Sequence, residues 1–115
     1  MIHITQGDAH DVSSIMPVME AAFDPAYGEA WSASQCLSAL ALPECRLLIA
    51  REEQGSVAGF AISRWVLETE ELLMIGVDPR CQRQNIGTLL IDDIIDRASK
   101  AGREKLFLEV RENNG

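Results

Sequence analysis

Residues 77–90 read Val-Asp-Pro-Arg-Cys-Gln-Arg-Gln-Asn-Ile-Gly-Thr-Leu-Leu. The apolar run 72–77 that leads into this stretch is typical of a strand, and residues 78–85 form a polar loop. From residue 86 the apolar positions follow helical spacing, and one face of the predicted helix carries Ile86, Leu89, Leu90, Ile94 and Ala98. The sequence therefore predicts a strand, a loop and a helix over residues 86–101.

A second strand follows that helix. Gly102 stands where a helix C-terminus favours glycine, and residues 106–111 alternate in polarity. A strand–helix–strand connection within one sheet is a crossover, so we predict that strands 72–77 and 106–111 are parallel.

The chain before this unit predicts one more strand, two helices and a pair of hairpin strands. Ile2 and Ile4 alternate with polar neighbours, and Asp8 is a candidate N-cap of a helix that Pro17 should kink or divide. Residues 32–35 match a capping box. In the helix that follows, the side chains predicted to face the core are Cys36, Leu37 and Leu40. Two strands, 47–50 and 57–66, are joined by a tight turn. Trp65, in the second of these strands, is most simply interpreted as a packing residue.

The fold class that follows is α/β (α+β), with the order β-α-α-β-β-β-α-β in one domain over residues 1–115. The sheet should be mixed, mostly antiparallel and flanked by helices. A chain of 115 residues that is 47% hydrophobic can bury a real core.

Composition restricts the classes of function. The chain contains no apolar run of the ~18 residues that a membrane span needs, and residues 1–5 lack the features of a signal peptide, so we expect a cytoplasmic protein without a membrane partner. A net charge of −8 disfavours nucleic-acid binding, although it suits a cationic substrate. Three cysteines without a CxxC motif indicate reduced thiols, and two histidines near the N-terminus predict no metal site.

The chemistry of the chain is concentrated in the loop before the predicted helix. The first N–H groups of a helix have no internal acceptors and lie at its positive end, which is an arrangement that binds phosphates. Gly87 leaves room for close approach to the backbone, and Arg80 and Arg83 add cations. The alternative from physics alone is an ordinary loop whose arginines are solvated.

The same stretch resembles the V-x-P-x-x-Q/R-x-x-G-x-G/A signature of the GNAT family of N-acetyltransferases. Val77, Pro79, Gln82 and Gly87 match it, and Asn85 stands where the family usually has glycine. The resemblance implies acetyl-CoA as co-substrate, with no metal. It also implies that loop amides grip the pyrophosphate and that the preceding strand pairs with the pantetheine arm. The implied cofactor-binding residues are Ile75, Gly76, Val77, Gln82, Arg83, Gln84, Asn85, Ile86, Gly87 and Thr88. Asparagine tolerates left-handed φ, so we expect the turn at Asn85 to form.

The similarity extends to the RimI-type ribosomal-protein-alanine N-acetyltransferases, which acetylate a protein N-terminus. It is carried by residues 57–62, 71–77 and 106–111, by Phe23, and by the Trp31-Ser32 pair.

This subgroup implies a protein N-terminal amine as acceptor and Glu109 as general base. It further implies that N–H groups near Gly76 form an oxyanion hole and that Asn114 contacts coenzyme A. From the residues alone, Glu109 could equally be a solvated strand residue, and Asn114 a residue of the chain's tail.

Relatives continue into a helix with a catalytic tyrosine and into further strands, so we expect a C-terminally incomplete domain. An open apolar strand edge would then favour a homodimer. Three alternatives stay open: a non-catalytic acyl-CoA-binding or dimerising relative, an acetyltransferase for small-molecule amines, and a fragment of a longer protein. Cys81 is either a plain loop thiol or a reactive one.

Overall fold

One five-stranded sheet forms the centre of the computed structural model, which describes residues 1–23, 28, 30–103 and 105–108, with only the backbone described at 82, 83 and 105–108. Its strands lie side by side in chain order: β1 (His3–Gly7), β2 (Cys45–Arg51), β3 (Val57–Val66), β4 (Thr69–Val77) and β5 (Lys105–Leu108). The three pairs among β1, β2, β3 and β4 are antiparallel, and β5 pairs with β4 in parallel. The predicted class, order and crossover are confirmed.

Three α-helices cover the two faces of this sheet: α1 (Val12–Ala22), α2 (Ala33–Leu40) and α3 (Ile86–Lys100). Short 3-10 stretches precede α1 and α3. Pro17 lies inside α1, which runs through it unbroken, so the predicted division of this helix is wrong. In the part of the chain that the structure describes, no helix is long and apolar enough to cross a membrane.

The helix ends follow the local sequence. Asp8 and Asp11 form a reciprocal capping box before α1, and Ser32 and Gln35 form another at the start of α2. After α3, Gly102 adopts φ 80° and the Arg103 N–H donates to the Ala98 carbonyl at 2.9 Å. This is the hydrogen-bond pattern that a left-handed C-terminal residue permits.

Each face of the sheet carries its own core. On one face α1 and α2 pack around Ile15, Met19, Cys36, Leu47, Ile49, Phe60, Ile62 and Met74. On the other face α3 packs around Leu48, Ala50, Ala58, Ala61, Leu72, Cys81, Ile86, Leu90 and Ile94.

Two residues predicted to point inward are exposed instead. Leu37 of α2 is 45% exposed and Leu89 of α3 is 40% exposed. The apolar stripe of each helix is wider than the face that touches the sheet. α3 makes its contact through a narrower row, Ile86, Leu90, Ile94 and Ala98.

A β-bulge interrupts the pairing of β3 with β4. Ile62 lies opposite Met74, whereas Ser63 lies opposite Leu72, so Leu73 is the extra residue of β4. A bulge changes which face the following residues occupy. Leu72 therefore packs under α3, and Met74 packs under α1 despite the two-residue spacing.

The pairing of β4 with β5 is short. It runs from Thr69 opposite Lys105 to Leu72 opposite Leu108. The predicted final strand 106–111 is confirmed over 106–108, and 109–111 lie outside the described residues.

Candidate functional site

The candidate site lies where β4 ends and α3 begins. Among the described residues, β4 has a β5 partner only as far as Leu72, and none of them pairs with residues 73–77 along that edge. Residues 78–85 then connect this edge directly to the N-terminus of α3. Within the described residues, the part of this edge that has no partner strand thus leads into a helix N-terminus.

Asp78 holds the connecting loop in place. Its N–H donates to the Ala58 carbonyl at 2.8 Å, which ties the loop to β3. Its carboxylate accepts from the Arg80 N–H at 3.0 Å and from Arg80 Nη2 at 2.8 Å. These hydrogen bonds from Arg80 hold the pKa of the Asp78 carboxyl below its ordinary value.

The charge of Arg80 is consequently engaged within the protein. Its guanidinium is 87% exposed and forms an ion pair with Asp78, and this pairing raises the Arg80 pKa. Arg80 was predicted to add a cation to the loop, and in the structure this cation is paired with a carboxylate two residues earlier. Arg83 lies in the same 3-10 stretch, and its side chain is outside the described part.

Asn85 produces the turn into α3. It adopts φ 55° and ψ 34°, the left-handed conformation predicted for it, and its side chain caps no N–H group. The first helical bond runs from Leu89 N–H to the Asn85 carbonyl at 3.0 Å. The N–H groups of Ile86, Gly87 and Thr88 therefore have no acceptor within the helix, and its first turn contains no acidic residue.

The glycines around the site differ in what a side chain at each position would contact. A Cβ on Gly59 would lie 2.9 Å from Ile86 Cγ2, and one on Gly76 would lie 2.7 Å from the Phe60 ring. Packing of α3 and of an aromatic ring excludes side chains at those two positions. A Cβ on Gly87 would meet only Val77 Cγ2, at 3.9 Å. No other described atom fills the space beside Gly87, which lies next to the uncapped N–H groups of α3.

Cys81 is a packing residue of the loop. It is 6% exposed within the α3 core, and its Sγ lies 3.9 Å from Glu52 Oε1. Burial first, and then the nearby Glu52 and Asp78 carboxylates, raise the pKa of the thiol. A buried thiol with a raised pKa is a poor nucleophile, which favours the plain loop thiol over the reactive alternative for Cys81.

The structure brings most of the predicted cofactor-binding residues to this one place. Gln84, Asn85 and Thr88 are exposed, whereas the side chain of Ile86 is fully buried and can offer a ligand only its backbone. Ile75 and Val77 pack against the α3 core, and Gly76 lies against Phe60. Gln82 and Arg83 are described by their backbone alone, and Glu109 and Asn114 lie outside the described residues.

A buried charged cluster at the other end of α3 was not predicted. Glu70 is fully buried, and its Oε2 accepts from Ser63 Oγ at 2.8 Å and from Arg46 Nη1 at 3.2 Å. The guanidinium carbons of Arg46 and Arg103 lie 4.9 and 4.5 Å from the centroid of the Trp65 ring. Burial lowers the pKa of Arg46, and the Glu70 carboxylate opposes that effect. Trp65 therefore packs against two cations.

The sequence contains one indication of this cluster. Glu70 lies two residues before Leu72 in the same strand, and residues two apart in a strand share a face, so Glu70 is expected to point inward with Leu72. Over the described ranges, no group of three or more histidine, cysteine, aspartate or glutamate residues could hold a metal ion.

Comparison with known proteins matches residues 13–115 to the Acetyltransferase (GNAT) family. The chain belongs to this family. The [Ribosomal protein bS18]-alanine N-acetyltransferase of Escherichia coli strain K12 is 44% identical over 62 residues, which are 54% of this chain and 42% of that protein. The enzyme of the same name from Haemophilus influenzae is 37% identical over 62 residues, again 54% of this chain and 42% of the relative. The matched stretch thus spans less than half the length of these curated relatives.

Solved structures agree with this relationship. The ribosomal-protein-S18-alanine N-acetyltransferase from Escherichia coli superposes with a TM-score of 0.86 at 30% identity, covering 100% of this chain and 70% of that one. The PaiA N-acetyltransferase from Thermoplasma acidophilum, in complex with coenzyme A, has a TM-score of 0.83 at 19% identity, covering 100% and 82%. The second likeness concerns the fold alone.

Proposed function

We propose that this chain binds acetyl-CoA and transfers the acetyl group to an amine, specifically to the α-amine of a protein N-terminus. One observation carries the proposal: α3 begins with three N–H groups without helical acceptors, next to a glycine whose missing side chain leaves free space. This end of the helix lies at the edge of β4 that β5 leaves open among the described residues.

The helix N-terminus suits a pyrophosphate. The helix dipole places roughly half a positive charge there, and unpaired N–H groups donate to phosphate oxygens. Because this attraction is local, it works in a chain whose net charge is −8. Asn85 sets the turn without capping the helix, so its side chain does not compete for the same N–H groups.

The edge of β4 suits the pantetheine arm. Pantetheine carries amide groups in an extended chain, and such a chain can pair with an open strand as a peptide does. Residues 73–77 lead toward the N-terminus of α3, which gives one continuous path for the arm and the pyrophosphate. The bulge at Leu73 lies where this path begins.

Acetyl transfer requires a neutral amine and a polarised carbonyl. Acetyl-CoA supplies the acetyl group as a thioester. Glu109, directly after β5, is the proposed general base that accepts the amine proton. N–H groups near Gly76 are the proposed donors to the carbonyl oxygen. Both roles are inferred from the family resemblance.

The acceptor class is inferred from the relatives. The name of the Escherichia coli protein that is 44% identical over 62 residues specifies an alanine of a ribosomal protein. A protein N-terminus is cationic before deprotonation, which suits an acidic chain. The predicted cytoplasmic location and homodimer stay predictions.

Thiol release from acetyl-CoA, measured with peptides that differ in their N-termini, tests this function. We expect turnover with a peptide that begins with alanine and none with its N-acetylated counterpart. Glu109→Gln should abolish turnover while leaving acetyl-CoA binding intact, and Glu68→Gln, an exposed hairpin glutamate, is the matched control. Tight acetyl-CoA binding without turnover of any amine would favour the non-catalytic alternative, and turnover of small amines alone would reject the protein acceptor.

A further inference from the structure

A β-bulge in β3 contacts both ends of the loop that leads into α3. Ala50 of β2 lies opposite Gly59, whereas Arg51 lies opposite Val57, so Ala58 is the extra residue of β3. A bulge interrupts the regular ladder and redirects the groups next to it, and bulges are frequent beside functional sites. Ala58 and Gly59 together form what we call the β3 bulge.

The β3 bulge holds the first end of the loop through a backbone hydrogen bond. The Asp78 N–H donates to the Ala58 carbonyl at 2.8 Å. Asp78 is 5% exposed and is the N-cap of the 3-10 stretch Pro79–Gln84. The start of the loop is therefore attached to the residue that is extra in β3.

The β3 bulge holds the second end of the loop because Gly59 has no side chain. Its φ is not positive, so its backbone conformation does not require glycine. A Cβ at this position would lie 2.9 Å from Ile86 Cγ2, 3.0 Å from the Gly76 carbonyl oxygen and 3.4 Å from Leu90 Cδ1. An extra methyl group in a close-packed core displaces its neighbours. Gly59 therefore allows the first residue of α3 to lie directly on β3.

Ile86 connects this packing to the proposed phosphate site. Its side chain is fully buried and lies over Gly59, and its backbone N–H is the first of the three at the start of α3 that have no helical acceptor. A displaced Ile86 side chain would move these N–H groups with it. Hydrogen bonds weaken steeply when their distance and angle change.

We propose that Gly59 is a positioning residue: its missing side chain sets how closely the start of α3 approaches β3, and thereby where the N–H groups meet the pyrophosphate of acetyl-CoA. Ala58 holds the other end of the same loop, so adjacent residues of one strand fix both ends. The identity of the ligand rests on the proposed function. The packing of Ile86 on Gly59 is a property of the fold and can be measured without a ligand.

Substitutions on both sides of this contact test the proposal. Gly59→Ala adds a methyl group where Ile86 Cγ2 lies, and Ile86→Leu removes that Cγ2, because leucine has no branch at Cβ. We expect each single variant to bind acetyl-CoA and inorganic pyrophosphate about tenfold more weakly, the effect of misplacing about one charge-assisted hydrogen bond. The double variant should bind both more tightly than either single variant does, because the added methyl group occupies the space of the removed one.

Binding is measured by titration while the amide chemical shifts of Ile86, Gly87 and Thr88 are followed, and urea unfolding gives the stability of each variant. Ala98→Val is the matched control, because Ala98 is a buried residue near the other end of α3. It should lose stability through overpacking and bind both ligands as the wild type does.

An equal loss of affinity in Ala98→Val would overturn the inference, as would losses that simply add in the double variant. Wild-type affinity in a folded Gly59→Ala protein would overturn it as well. If Gly59→Ala does not fold, Ile86→Leu is compared with Ala98→Val in the same way, and equal affinities in these two variants would reject the inference.

Hydrogen exchange of the ligand-free proteins distinguishes this inference from the proposed function. Leu89, whose N–H donates to the Asn85 carbonyl, has the first hydrogen-bonded amide of α3. Faster exchange at Leu89 in Gly59→Ala but not in Ala98→Val, with a wild type that binds no acetyl-CoA, would reject the proposed function and leave the packing role of Gly59. Acetyl-CoA binding that shifts the amides of residues 86–88 and is unchanged in Gly59→Ala would do the reverse.

Discussion

Asn85 has a left-handed backbone, with φ 55° and ψ 34°, at the point where the loop becomes α3. This conformation costs most L-residues roughly 1–2 kcal/mol, and asparagine is among the residues that tolerate it. Its side chain forms no cap, so the helix N–H groups behind it stay available. Asn85 therefore forms the left-handed turn without capping the N–H groups of the proposed anion site.

Substitutions of Asn85 distinguish its effect on the stability of the turn from its effect on acetyl-CoA binding. Asn85→Ala should lower the free energy of unfolding by about 1 kcal/mol, because alanine resists positive φ. Asn85→Gly should be close to the wild type in stability and should bind acetyl-CoA at least as tightly, because it removes a side chain near the phosphates. Urea unfolding and calorimetric titration measure the two quantities. An Asn85→Ala protein as stable as Asn85→Gly would contradict the role of the turn.

Asp78 gives the loop a pH-dependent anchor. Its pKa in the folded protein is lowered, chiefly by the side-chain and backbone hydrogen bonds from Arg80. A carboxyl with a lowered folded pKa stabilises the fold above its unfolded pKa of about 3.9, and this contribution is lost as the pH falls through the folded value. Asp78→Asn should therefore be less stable than wild type at pH 7, and the difference should shrink below about pH 4.

Thermal unfolding of both proteins across this range measures that difference. Asp92→Asn, which removes an exposed carboxylate from α3, is the control. A stability gap between wild type and Asp78→Asn that stays constant down to acid pH would reject the anchor.

Single residues also mark the limit of prediction from sequence. The left-handed Asn85 follows from local backbone preference and was predicted. The pairing of Arg80 with Asp78 depends on side-chain rotamers, which the sequence does not specify. Glu70, Trp65 and Arg103 meet only through the folded sheet, and charged residues are rarely buried, so sequence alone favours solvated positions for them.

α3 is the element in which stability and binding should respond in opposite directions. Gly87 lies in its first turn, where glycine is a poor helix former and a Cβ would meet only Val77, at 3.9 Å. Gly87→Ala should therefore raise the free energy of unfolding by about 0.5–1 kcal/mol. The same methyl group stands in the space proposed for the pyrophosphate, so acetyl-CoA should bind more weakly.

Urea unfolding and acetyl-CoA titration of Gly87→Ala give the two readouts. Ser99→Ala, at the exposed far end of α3, controls for helix propensity. Equal affinity for acetyl-CoA in Gly87→Ala and wild type would place the ligand elsewhere.

The strands and helices differ in how well their sequence specifies them. The order of elements, the N-cap at Asp8 and the capping box at 32–35 follow from periodicity and short-range hydrogen bonds, and were predicted. The bulge at Leu73 was not, because all of residues 72–75 are apolar and no polar residue marks the change of face. The pairing of β5 with residues 69–72 of β4 brings together distant parts of the chain, which is a long-range property.

The molecule as a whole has two cores that share one sheet. Ile15 of α1 and Leu90 of α3 are both fully buried, on opposite faces. The strands between them alternate side chains into both cores, so neither core can form without the sheet. A single domain of this size is expected to unfold in one cooperative transition.

Substitutions in each core, alone and combined, test whether the two cores unfold cooperatively. Ile15→Ala and Leu90→Ala should each lower the free energy of unfolding by about 2–5 kcal/mol through lost burial and a cavity. Because the two side chains do not touch across the sheet, the double variant should show the sum to within about 0.5 kcal/mol. Urea unfolding followed by circular dichroism and tryptophan fluorescence should give one transition with an unchanged slope. Two separate transitions in Leu90→Ala would instead mean that α3, and with it the proposed phosphate site, can detach while α1 and α2 remain folded on the sheet.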